Sequence, residues 1–286
     1  MKLLCEKKFD IVKGEYGPRM SLYAPWSSNI EKAMKKRGVV ELELNRAKGW
    51  RGTDVSFLSR VSHLLAIVII DWKDYDISAV HNLHELRFLE IMRYCDSEID
   101  FACFPKLEEV SLEWRAKAKT LFDCTTLKRV FINTWPGESL EVFSQLPILQ
   151  RLALKSPRIE RIGDVSGLQE LTFLELGNAR KLTSLEGLEE LTNLQVLEIQ
   201  RCRKISNIEP IRYLTKLKRL VFCDNGGIES LKPIAGLKEL RDVYFYESTN
   251  ILDGDLSPLK ELPKLADTSF QDREHYNYRM ADFKSE

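Results

Sequence analysis

The chain has 286 residues, 44% of them apolar, and its 43 lysines and arginines balance 43 aspartates and glutamates. Such a length suits one large domain or two ordinary ones, and the apolar fraction excludes a disordered chain. The lack of net positive charge counts against a nucleic-acid binder, and no apolar run is long enough to be a transmembrane helix.

Met1 to Cys5 open like a secretory leader, but Glu6, Lys7 and Lys8 stop the apolar run well short of the ~7 to 15 residues a leader core needs. The expectation is a cytoplasmic protein whose six cysteines stay reduced; they are scattered singly, without the C-x-x-C pair that would suggest zinc. Two strands about a Gly/Pro turn are predicted over "CEKKFDIVKGEYGPRMSLYAP". A helix comes next over "SSNIEKAMKKRG", with a capping box at Ser28 and Glu31 and a stop at Gly38. Lys35, Lys36 and Arg37 then fall at the helix C-terminus, where the dipole favours cations. Residues 1–38 are expected to cap the open end of the core formed by the rest of the chain.

From Val39 onward an internal repeat governs the chain. "LTFLEL" from Leu171, "LQVLEI" from Leu194, "LKRLVF" from Leu217 and "LRDVYF" from Leu240 place apolar residues at relative positions 1, 4 and 6, and start 23 residues apart. The pattern extends back through Leu149, Leu127, Leu107, Leu86, Leu65 and Val39, and forward to a degenerate copy at Leu265, eleven units in all. For the copy at Leu65, a frame on Leu64, Ile67 and Ile69 fits as well as one on Leu65, Val68 and Ile70, and a slip of one residue exchanges the faces of a strand. After each strand, apolar residues spaced by three, such as Leu182, Leu185, Leu188 and Leu191, predict a tight helical or 3-10 return. "DVSFL" at Asp54, "DISAV" at Asp76, "DVSGL" at Asp164 and "DLSPL" at Asp255 mark where returns start. Asp and Ser can accept hydrogen bonds from the first free amides there, and Pro210, Pro233 and Pro258 suit a first helical position. A strand with a short return cannot bury its apolar face alone, so the units must stack, and the spacing implies a solenoid. The polar, aromatic stretch that closes the chain, residues 273–286, reads as a C-terminal cap and tail.

"LTNLQVLEIQRCRKISNIEPI" and "LTKLKRLVFCDNGGIESLKPI" resemble the leucine-rich repeat family, in its short-repeat class with L-x-x-L-x-L-x-x-N/C-x-x-I, as in internalin-type repeats and the leucine-rich regulatory subunits of protein phosphatases. The resemblance covers residues 39–272. It implies an α/β solenoid, a right-handed horseshoe or arc with a parallel sheet on the concave face and short helical segments on the convex one. It implies a protein-binding scaffold as well, since the family consists mainly of such scaffolds with widely differing partners. The family's ladder position holds Asn only at Asn225 and Cys at Cys202. Lys73, Tyr94, Arg115, Trp135, Pro157, Ala179 and Ser248 stand there elsewhere, so the early turns are expected to be less regular.

No nucleophile elbow, phosphate loop, dinucleotide fingerprint or zinc-protease motif is present, and the chain is expected to be no enzyme and to hold no cofactor or metal. His81 and His84 read as solvated surface, and Cys103 and Cys124 as substitutes for core aliphatics. Cys202, flanked by Arg201, Arg203 and Lys204, reads as a ladder residue, and Cys223 as an accessible thiol without a general base. Strand alternation turns positions 3 and 5 outward, with 7 and 8 continuing the same surface. These positions hold 13 acidic and seven basic residues, which predicts an acidic concave face. The candidate protein-binding residues are the acids Glu43, Asp71, Glu90, Glu113, Glu175 and Glu198, the aromatics Trp72, Phe88, Trp114, Phe131, Phe173, Tyr244 and Tyr246, and Arg201. The leading expectation is a monomeric cytoplasmic scaffold that holds a basic protein partner, with neither nucleic acid nor membrane. Its alternatives are an immunity-type inhibitor masking a basic enzyme, a regulatory subunit binding through its convex face or caps, and a thiol-dependent enzyme.

Overall fold

The computed structural model describes residues 7–92 and 97–283, and two compact units divide the chain between Lys128 and Arg129. Arg93 and Tyr94, which the repeat assigns to the turn after its third strand, lie outside the described residues, as does the leader-like start.

The first unit opens with an antiparallel hairpin, β1 (Phe9–Lys13) and β2 (Pro18–Leu22), closed by a turn in which the Gly14 N–H donates to the Gly17 carbonyl at 2.8 Å. Helix α1 (Ser28–Lys36) buries Ile30 and Met34. Its N-cap is Ser27 rather than Ser28, and no side chain caps it; Glu31 pairs with Lys35 at 3.0 Å instead of reaching back. The helix ends at Gly38, whose φ of 59° is the left-handed conformation that glycine adopts without steric cost. From β2 the sheet continues in parallel, in chain order, through β3 (Glu41–Asn45), β4 (Ala66–Ile70), β5 (Phe88–Met92) and β6 (Glu109–Glu113).

Strand β4 overturns the frame based on Leu65. It pairs Leu42 with Ile67 and Leu44 with Ile69, all four at most 1% exposed, so Leu64, Ile67 and Ile69 face the core. Ala66, Val68 and Ile70 take the positions of Glu41, Glu43 and Asn45 on the other face. Seven consecutive apolar residues, Leu64 to Ile70, carry no alternation, so only pairing to β3 decides which way each points.

The second unit holds β7 (Arg129–Asn133), β8 (Arg151–Lys155), β9 (Phe173–Gly177), β10 (Val196–Gln200) and β11 (Arg219–Cys223), then β12 (Gly227–Ile228), β13 (Asp242–Tyr246), β14 (Asn250–Ile251) and β15 (Asp267–Phe270). All but β12 and β14 form one parallel sheet; those two pair with each other beyond the turns. Leu174, Leu197, Leu220 and Val243 lie in register and fully buried, each side chain contributing roughly 1.5–3 kcal/mol of transfer free energy.

The returns are mostly 3-10 segments. Their predicted starts are observed: the N–H groups of Ser56, Ser78, Ser166 and Ser257 donate to Asp54, Asp76, Asp164 and Asp255 at 2.8–3.0 Å. Pro210, Pro233 and Pro258 occupy first turns, the last in the short helix α2 (Ser257–Glu261).

The turns differ between the units. In the second, Thr134, Asn178, Arg201, Asp224 and Glu247 all have φ between 56° and 61°, and all fall at relative position 8. This conformation is costly for a side-chain-bearing residue, but the N–H groups of Asn178 and Arg201 donate to the carbonyls of Gln200 and Cys223 in the next strand, each at 2.8 Å. Beside them runs a buried ladder. Asn225 accepts from the Cys202 N–H at 2.8 Å and donates to the Ile199 carbonyl at 2.6 Å, while the Thr249 hydroxyl accepts from the Asn225 N–H at 3.1 Å. Thr249, not Ser248, is thus the ladder residue, and likewise buried Ser156, not Pro157, bonds across to the Trp135 carbonyl. Among the described residues of the first unit, no non-glycine has a positive φ. The turn after β3 is held instead by buried Arg46, which donates to both oxygens of Asp71 at 2.8 Å and to the Gly52 carbonyl at 2.9 Å.

Candidate functional site

On the outward face of the first unit, most carboxylates are already engaged. Arg19 reaches Glu41 at 2.7 Å; Ser21 donates to Glu43 at 2.6 Å, and Lys48 pairs with Glu43 at 2.8 Å. Burial would push the Glu43 carboxyl up, but hydrogen bonds from Lys48, Ser21 and Asn45 outweigh it and hold the group below the usual carboxylate range. Asp71 is 3% exposed, and Arg46, the Lys73 N–H and the Tyr75 hydroxyl keep its carboxyl low against the burial that would raise it. Asp71 therefore belongs to the turn scaffold, not to an open face. Glu113 is buried as well, and Trp114 is half-buried, 6.0 Å from the Phe122 ring.

Glu90 differs. It is half-buried on β5, level with Val68 and Ser111, and makes no hydrogen bond or ion pair among the described residues. Burial, with Glu43 and Glu109 nearby, pushes its carboxyl up. Phe88 lies two residues away on the same face, half-buried, and Trp72, in the turn after β4, is 69% exposed.

In the second unit the outward strand positions carry Arg129, Arg151, Lys155 and Arg219 against Glu175, Glu198, Asp242 and Asp267, so the charges balance. The expected acidic excess is confined to the first unit, where Glu41, Glu43, Glu90, Glu109 and Glu113 stand against Arg19 alone at these positions. The aromatics here already carry cations. The Arg151 guanidinium lies 3.3 Å from the Phe173 ring centre, Lys155 5.5 Å from Phe131, and Arg219 5.0 Å from Tyr244. Tyr244 also donates to Asp267 at 2.8 Å; burial first, then this carboxylate, push its phenol up to about 12. Glu198 has Arg219 at 3.7 Å, whereas Glu175 has no ion pair among the described residues and is pushed up by burial. Tyr246 and Arg201 are exposed, at 37% and 68%. Arg151 is not among the candidates drawn from the sequence, although it is the direct cross-strand neighbour of Phe173, the kind of pair that a column-by-column reading of the repeat finds.

The remaining candidates are structural. His81 Nε2 lies 3.0 Å from the Asp100 amide and His84 Nδ1 3.0 Å from the Cys103 carbonyl, so both rings tie down the neighbouring return. The Cys202 sulfur is fully buried, 3.4 Å from the Gln200 carbonyl, and burial pushes its thiol up to about 11, opposite to an activated nucleophile. Burial raises the Cys223 thiol too.

No family model matches the chain, and no curated protein is similar to it in sequence. Solved structures are similar in fold. The internalin inlF from Listeria monocytogenes str. 4b F2365 matches 89% of this chain and 87% of its own, with 22% identity and a TM-score of 0.50. A chain of the mouse RP105/MD-1 complex matches 81% of this one with 18% identity and a TM-score of 0.55, and a chain of the TLR13-ssRNA13 complex matches 74% with 17% and 0.54. The present chain spans 42% and 36% of those two. Parallel strands in register, 3-10 returns, a buried Cys/Asn/Thr ladder and these neighbours together establish that the chain has the leucine-rich repeat fold.

Proposed function

We propose that the chain is a non-catalytic scaffold that holds a protein partner of basic character on the outward sheet face of its first unit, with Glu90 receiving a lysine or arginine. The carrying observation is that Glu90 is a half-buried carboxylate with no ion pair or hydrogen bond among the described residues, Arg19 and Lys48 acting on it only from a distance, in a strip that Phe88, Ile70 and Met92 line with apolar surface. A cation arriving there favours the charged state of the carboxylate and is desolvated with it, the arrangement in which charge pairs govern specificity. Phe88 and Trp72 add aromatic surface of the kind found at interface hot spots. In the second unit Glu175 offers a similar carboxylate, while Phe131, Phe173 and Tyr244 are covered by their own cations and contribute less. The four described cysteines are free, which suits a reducing compartment such as the cytoplasm, and no described helix is long and apolar enough to cross a membrane.

The test is co-purification of the partner from its native cell with three variants. Glu90→Lys and Phe88→Ser are expected to reduce recovery at least tenfold, roughly 1.4 kcal/mol. Tyr213→Ser, on an exposed 3-10 return, is expected to leave it unchanged. Loss of the partner only with Tyr213→Ser would overturn the assignment and favour binding through the returns.

A further inference from the structure

Four cations line one open groove along the turns after β9, β10 and β11: Arg180, Arg201, Arg203 and Lys204, with Asn178 and Asp224 completing its wall around about 700 Å³. Arg180 and Arg203 are equivalent residues of adjacent repeats, which the parallel register of β9 and β10 sets side by side at about the 4.8 Å spacing of strands. Arg201 and Arg203 are 68% and 66% exposed. The one carboxylate in the wall is Asp224. Arg203 Nη2 donates to its two oxygens at 2.7 and 2.9 Å, Ser248 donates to it at 2.6 Å, and Arg201 stands 3.8 Å away. The side chains of Arg180 and Lys204 donate no hydrogen bond among the described residues. One carboxylate thus faces four cations, and the Arg203 contact with Asp224 shows that this wall can hold an oxyanion by charge-assisted hydrogen bonds.

We propose that this groove receives a phosphomonoester carried on an extended segment of a partner protein. A phosphomonoester brings a charge of about −1.5 to −2 and three acceptor oxygens, so it can engage Arg180, Arg201 and Lys204 together, more cations than the two oxygens of a carboxylate can satisfy. The groove is open and every residue lining it is polar or charged, unlike the enclosed pockets lined by apolar and aromatic side chains that take free small molecules. No aromatic ring lines it, so it lacks the stacking platform of a single-strand nucleic-acid site, and the chain has no net positive charge. These residues are distinct from Glu90 and Phe88, so this site stands or falls independently of the sheet-face assignment.

The experiment is fluorescence anisotropy on the full chain at about 0.1 M salt, where charges beyond about 10 Å are screened. The probe is a labelled Gly/Ser peptide bearing one phosphoserine. Saturable binding is expected, at least tenfold weaker for the unphosphorylated peptide and about tenfold weaker for the Arg180→Ser/Lys204→Ser double variant, corresponding to ~1.4 kcal/mol. Asp224→Asn, which removes the competing carboxylate and tolerates the left-handed turn, is expected to tighten binding several-fold. Lys216→Ser/Lys264→Ser, which removes two exposed cations outside the groove wall, is expected to change nothing. The proposal is overturned by no binding, by equal binding of the unphosphorylated peptide, by an unaffected double variant, or by weaker binding of Asp224→Asn. Tighter binding of oligouridylate, or displacement by inorganic phosphate at the peptide's own concentration, would reassign the groove to nucleic acid or to a free anion.

Discussion

The two units build their outward sheet faces from the same five-residue strand and leave them in different electrostatic states. In the first, five acids stand at the outward positions of β2 to β6, where Arg19 is the one cation among the described residues, and Glu90 has no ion pair among them. In the second, acids and cations balance, and three aromatic rings lie under cations of their own. One face holds unspent charge while the other has largely satisfied itself. A repeat is therefore a framework for spacing side chains, and whether a given strip can recruit a partner depends on what stands in the adjacent column.

The contrast extends to the turns, and there the largest effects are expected. Arg46→Leu strands Asp71 as a buried, uncompensated charge and should cost about 3–5 kcal/mol in urea unfolding; Arg46→Leu/Asp71→Leu should recover most of that. Asn225→Ala, in the regular ladder of the second unit, leaves the Cys202 N–H and the Ile199 carbonyl without partners and should cost about 2–3 kcal/mol. If both variants cost under about 1 kcal/mol, neither turn device matters.

Smaller effects should arise from pH. The folded-state pKa of Glu90 is raised, so its ionisation opposes folding: the cost is absent below the unfolded value and grows as pH rises through the carboxylate range. The folded-state pKa of Glu43 is lowered, so it contributes stability above the unfolded value that is lost as pH falls. At pH 7, Glu90→Gln should raise the melting temperature and Glu43→Gln should lower it, with the Glu90 difference vanishing in acid. The same sign for both at pH 7 would contradict the assigned environments. The smallest expected effect is in the second unit. A double-mutant cycle of Arg151→Ala with Phe173→Leu should return a coupling of about 0.5–1 kcal/mol, and a coupling of zero would show that this cation does not satisfy the ring.

Much of the scaffold was legible because it is periodic. Leu174, Leu197 and Leu220 share a column, the Asp-x-Ser starts cap their returns, and Cys202 with Asn225 marks the ladder, each a local pattern repeated until chance is excluded. Legibility failed where the chain offers equivalent neighbours. Ser248 and Thr249 are adjacent hydroxyls, and a one-residue lengthening of the repeat puts the second in the ladder. Asp71 looked outward in the slipped frame, but Arg46, 25 residues earlier, buries it. Glu90 and Glu43 look alike as letters; the fold brings Ser21, Asn45 and Lys48 to Glu43 and leaves Glu90 without a hydrogen bond among the described residues.

Repeat length, the apolar columns and the turn chemistry were determined by the sequence itself, because each rests on interactions within a few residues or on a strict period. The face of the apolar strand Ala66–Ile70 and the charge state of each outward carboxylate were decided only by tertiary structure. Both depend on which side chain of the adjacent strand comes alongside, and that proximity exists only after the repeats have stacked.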